Sequence, residues 1–138
     1  MTTAPNPTDF ASSSASTLRL PRLIAVGVAL WFLAAMMVRF LGPFVFVEGS
    51  ITLVLTFAVT ILIAWPFFWL ATALSGARGA DVLPATSILT FVALCLDGIA
   101  LTWFRELYGP TYAYGGPWIM WGAGLILMVA LLHTQRRD

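Results

Sequence analysis

The chain has 138 residues, of which 60% are hydrophobic and 9% charged, with a formal net charge of +1. Soluble domains carry about 25% charged residues, so this composition excludes a chain whose whole surface faces water. The near-neutral balance, made of seven Arg, no Lys and six acids, also leaves no basic field to draw in nucleic acid.

Residues 1–20 open with MTTAPNPTDFASSSAST, a polar segment too poor in apolar side chains to fold alone. It is expected to be a disordered tail. Asn6-Pro7-Thr8 is not a glycosylation acceptor, because Pro fills the middle position. No signal-peptide pattern is evident, so the first apolar run is read as a retained span.

Four apolar segments follow, in a membrane domain spanning 21–133. The first is predicted as a helix over 23–41, opened by Pro21 and ended by Gly42-Pro43. The second is predicted over 51–74, between Gly49-Ser50 and Ser75-Gly76. The third is predicted over 82–104, with Asp81 as N-cap. The fourth is predicted over 117–132, led in by Tyr114-Gly115-Gly116. Residues 134–138 form a short tail. Each helix is near the ~20 residues that cross a hydrocarbon core. Within lipid the backbone must satisfy its own hydrogen bonds, which leaves helices as the reading. The fold class is therefore an all-α integral membrane four-helix bundle.

Arginine placement sets the expected orientation. Arg19, Arg22, Arg78, Arg136 and Arg137 fall on one side, and Arg39 and Arg105, with Glu48 and Glu106 nearby, on the other. The positive-inside rule then puts both termini in the cytoplasm of a cell whose inner (plasma) membrane holds the protein. Tyr108, Tyr112, Tyr114, Trp118 and Trp121 are expected to anchor the outer interface, with Trp65, Trp69 and Trp103 as further belt residues.

Asp97 stands out because it lies inside the third span, where a carboxylate costs about 2.5–3.5 kcal/mol on insertion scales. Counting residues from the inner side places Asp97 and Arg39 at similar depth. The expectation is a buried Asp97–Arg39 pair across the bundle, with Arg105, Thr102 and Thr60 as supporting polar groups. Thr52, Thr56 and Thr60 share one face of the second helix, where packing is the ordinary role and a polar path the alternative. Pro66 is expected to kink that helix. Cys95 is a lone cysteine in an apolar run, and reads as a small hydrophobe. His133 is the single histidine, at the edge of the last span, where it makes neither a metal site nor a catalytic triad with Asp97. No catalytic, cofactor or metal motif is present, so no enzyme is expected. RFLGP at residues 39–43 and RELYGP at 105–110 form a faint repeat between two hairpins.

The segments LDGIALTWFRELYG and GPWIMWGAGLILMVALL, together with MVRFLGPFVF, resemble a bacterial family of small four-helix integral membrane proteins of unknown function. Arg39, Gly42, Leu96, Asp97, Phe104 and Trp121 carry the resemblance, which spans residues 22–132. It implies the fold and an Arg/Asp signature, but no biochemical role. Small multidrug exporters are of similar size, yet they look different: their first helix carries an embedded Glu, and here that helix has none.

Three functions follow from these residues. The leading one is a non-catalytic accessory or structural bundle in the lipid bilayer, associating with itself or with a membrane-protein partner. The second is a small proton-coupled transporter using Asp97. The third is a membrane-embedded cofactor binder or enzyme.

Overall fold

The computed structural model describes residues 18–136. The expected tail over residues 1–17 and the Arg137-Asp138 end lie outside the described residues. Four helices account for the fold: α1 (Leu20–Val45), α2 (Ile51–Ser75), α3 (Val82–Trp103) and α4 (Tyr112–Gln135). Short 3-10 turns at Gly79–Asp81 and Arg105–Tyr108 join the later helices. All four helices are long and apolar enough to cross a membrane. At about 1.5 Å per residue their 22–26 residues reach the ~30 Å of a hydrocarbon core.

Two helix ends differ from the sequence reading. Gly42-Pro43 does not stop α1, which runs on to Val45. A proline so close to a helix end removes only one bond of the last turns, and Gly42 is needed there as a contact surface. A methyl at Gly42 would collide with the Thr111 hydroxyl across the bundle. The glycines ahead of Pro117 likewise do not lead into α4 but lie within it, since α4 starts at Tyr112. A Cβ at Gly115 would run into the Val38 side chain, and one at Gly116 would meet Leu101 Cδ1 at 3.0 Å. These glycines let α4 approach α1 and α3 closely, as small residues do between membrane helices. At Gly76, by contrast, φ is +73°, the left-handed cap that ends α2.

α1 packs chiefly on α3, α3 on α4, and α4 on α2, with α1 and α2 closing the bundle. The contacts fix the register. Trp31 of α1 meets Asp97 of α3 and Arg39 meets the 106–107 turn, so the two helices run parallel. Arg22 at the start of α1 donates to the Leu74 carbonyl at the end of α2, so those two run antiparallel. The ends RFLGP and RELYGP pack on each other: the Arg39 guanidinium donates to the Glu106 carbonyl at 2.6 Å, and Gly109 lies against the Arg39 backbone.

The buried apolar side chains form two clusters. One gathers Leu23, Leu30, Phe68 and Leu89 toward the ends that carry the chain termini. The other gathers Ala35, Val38, Phe46, Tyr108 and Ile119 toward the 46–50 and 104–111 connections. The outward faces are apolar, with Phe44, Leu62, Phe91 and Trp103 largely exposed. Such faces suit lipid as the solvent.

Candidate functional site

Between the two clusters lies a cavity of about 120 Å³ walled by all four helices. Its wall takes Leu30 and Leu89 from one cluster and Ile119 from the other. Most of the lining is aliphatic or aromatic. The polar exceptions are Asp97, three threonines (Thr60, Thr86 and Thr90) and the indoles of Trp31 and Trp118. Ile63 lines the cavity and is also exposed on the outside of α2, so the wall there is one side chain thick.

Asp97 is the one ionisable side chain in that wall, and only 1% of its surface is exposed. Its Oδ1 accepts two hydrogen bonds. One comes from Trp31 Nε1 at 2.9 Å and the other from the Tyr108 hydroxyl. Trp31 Nε1 also reaches the Tyr108 oxygen at 3.2 Å, closing a three-membered network. The network ties α1, α3 and the 104–111 connection together around one oxygen atom. Oδ2 is buried and has no hydrogen-bond partner among the described residues. A carboxylate accepts at about four lone-pair positions, so half of this group's accepting capacity is uncommitted. Tyr108 lies in the connection rather than in a spanning helix. Burial, and after it the bond to Asp97, hold its phenol well above the usual range.

The expected Asp97–Arg39 pair is not formed. Arg39 sits two helical turns beyond Trp31 and spends its guanidinium on the Glu106 and Leu107 carbonyls. There it satisfies backbone acceptors of a 3-10 turn. The depth count assumed that α1 and α3 start level, but the two are displaced. Residue 31 of α1 lies beside residue 97 of α3, which puts Arg39 past the end of α3.

The supporting residues divide. Thr60 reaches the cavity, where its hydroxyl accepts from Trp118 Nε1 at 2.7 Å and donates to the Thr56 carbonyl at 2.6 Å. Thr102 bonds the Gly98 carbonyl of its own helix at 2.7 Å, and Arg105 lies over the Tyr112 ring. Both line a second, surface groove with Arg39 and Glu106, which shares Trp31 with the central cavity. Cys95 is exposed on the outside of α3. Among the described residues no three His, Cys, Asp or Glu side chains come together as a metal-ligand set.

The residues that do hold Asp97 were not evident as its partners. Tyr108 carries the pattern of an interfacial anchor, yet it is fully buried. Trp31 lies in an unbroken apolar run, where an indole reads as bulk. One signal existed for Tyr108: it follows Asp97 by eleven residues, about three helical turns. Trp118 faces Phe46 and Thr60 and is likewise turned inward rather than to the interface.

Comparison with family models, with curated proteins and with solved structures found no match to this chain.

Proposed function

We propose that this is a small multi-pass membrane protein in which Asp97 is a working carboxyl, taking up and releasing a proton or a ligand inside the bundle. The observation that carries this reading is the uncommitted, fully buried Oδ2 of a carboxylate in the wall of a central cavity. Intramembrane acids are rare and costly, and those that face a bundle interior mark proton relays and substrate paths. A purely structural acid would be expected to have both oxygens bonded. A small transporter is therefore the favoured form, and the protein is non-catalytic in this reading.

Membership of the family of unknown function that the chain resembles belongs to the same proposal, as does residence in the inner (plasma) membrane with both termini cytoplasmic. That orientation rests on the arginines at positions 19, 22, 78, 136 and 137.

A second reading, the accessory or structural bundle, is favoured by the Trp31–Asp97–Tyr108 network, which locks two helices and a connection in register. A lipophilic carbodiimide separates the two. It reacts with a protonated carboxyl, transferring it into an O-acylisourea that rearranges to a stable N-acylurea. The purified protein in lipid nanodiscs is treated from about pH 5 to about pH 9, and peptides are read by mass spectrometry. The proposal expects an adduct on Asp97 with pH-dependent yield. No adduct on Asp97 at any pH, with surface carboxyls labelled, would leave the structural bundle as the reading.

A further inference from the structure

We infer that the central cavity is a binding site for a small organic amine, with a body of about six heavy atoms and one cationic nitrogen seated on Asp97. The inference rests on the working-carboxyl reading above and adds the chemistry of what the carboxyl holds.

Size comes first. An apolar protein cavity of about 150 Å³ takes a benzene-sized molecule. The 120 Å³ here is of the same order and accordingly suits a compact branched or cyclic aliphatic group of about six heavy atoms. Polarity comes next. A wholly hydrocarbon ligand would leave Oδ2 of Asp97 unpaired, and an unpaired buried polar atom is costly. A ligand with one N–H donor at one end satisfies it.

Charge decides between an amine and a neutral donor. Asp97 is the one ionisable side chain in the wall, and Arg39 and Arg105 lie in the other groove. An anion would therefore meet a carboxylate with no cation to offset it. An ammonium meets a counter-ion in Asp97 and an otherwise carbon-lined wall for its body. A bare inorganic cation fits less well. It needs six or so oxygen ligands, whereas most of this wall is carbon. The lining side chain Ile63, exposed on α2, marks where the cavity comes nearest to the bilayer, the phase in which an amphipathic amine concentrates.

The experiment is isothermal titration of the full chain in lipid nanodiscs with cyclohexylamine, corrected by titration into empty nanodiscs. Cyclohexanol, of the same shape without the charge, is the comparator. The expected result is saturable binding of the amine at near-neutral pH, at least about tenfold tighter than the alcohol. Asp97→Asn should lose that preference. Asn keeps the oxygen that accepts from Trp31 and Tyr108, so the fold is retained while the charge is removed. A second variant reads the cavity wall. A methyl at Gly122 meets nothing nearer than Thr60 Cγ2 at 3.8 Å, so Gly122→Ala fits and narrows the space. It should weaken cyclohexylamine more than isobutylamine. Equal binding of amine and alcohol, unchanged in Asp97→Asn, overturns the inference, and so does binding of neither. If neither binds but the carbodiimide labels Asp97, the ligand class alone has failed. If the carbodiimide does not label it, the working-carboxyl reading has failed as well.

Discussion

Replacing Tyr108 by Phe removes one oxygen atom and nothing else from the fully buried contact with Asp97. The ring stays in its cluster with Val38, Ala100 and Ile119, so the packing contribution is kept. What is lost is a hydrogen bond to a carboxylate, together with the acceptor for the second contact of Trp31 Nε1. Bonds to charged groups contribute about 1.5–3 kcal/mol in soluble proteins. Polar contacts between membrane helices average about 0.6 kcal/mol and reach about 1.7. Trp31 Nε1 still donates to Oδ1 in the variant, which limits the loss. The expected destabilisation is about 1–2 kcal/mol, at the upper end of the membrane range because the acceptor is a buried carboxyl oxygen. The assay is reversible SDS unfolding in mixed micelles, run as a double-mutant cycle with Asp97→Leu, which replaces the carboxyl by an apolar group of similar size. A coupling near or above about 1 kcal/mol supports the network. A loss under about 0.3 kcal/mol for Tyr108→Phe, with no coupling, would refute it.

The same unfolding assay checks three further expectations. In a cycle of Arg39→Gln with Asp97→Asn the two effects should add within about 0.5 kcal/mol, because Arg39 bonds the 106–107 carbonyls instead of Asp97. Coupling above that would restore the ion pair. Gly115→Ala should cost about 1–3 kcal/mol by overpacking against Val38. Val38→Ala should recover part of it, and a neutral Gly115→Ala would contradict the close approach of α4 to α1. Alkaline pH is the third lever. The folded Tyr108 phenol titrates above its unfolded value, so its contribution is complete below about pH 10 and declines above that, as the unfolded chain alone ionises. Tyr108→Phe should flatten that decline, and an unchanged alkaline slope would count against a buried neutral phenol. Orientation is tested separately in intact cells on a Cys95→Ala background. Glu48→Cys should react with an impermeant maleimide from outside, and Arg78→Cys only after permeabilisation. The reverse pattern would invert the topology.

The four spans were legible in the sequence because lipid imposes one solution on long apolar runs. Asp97 was legible for the same reason, since an acid in such a run contrasts with every neighbour. Its partners were not. Hydropathy counts Trp31 as one apolar residue among many, although its Nε1 makes the bond that matters. Tyr108 lies beyond the end of α3, and the 3-10 turn at Arg105–Tyr108 folds it back against that helix. The start of α4 was hidden because Gly115, Gly116 and Pro117 carry the same letters whether they break a helix or thin it for packing. The register between α1 and α3 has no local signal at all. It is set by the fit of Gly27 of α1 against Leu89 and Val92 of α3. Those contacts are far apart in the chain.

The claim on which the account turns is that Asp97 changes protonation state inside the bundle. Infrared difference spectra of the protein in lipid, recorded between about pH 5 and about pH 9, report this directly from the carbonyl stretch of a protonated carboxylic acid. The account predicts an acid band that gives way to a carboxylate band with rising pH, shifts when cyclohexylamine is added, and is missing from Asp97→Asn. Wild-type and Asp97→Asn spectra that differ by no titrating band across that range would contradict it, and Asp97 would then be a fixed tie between α1, α3 and the 104–111 connection.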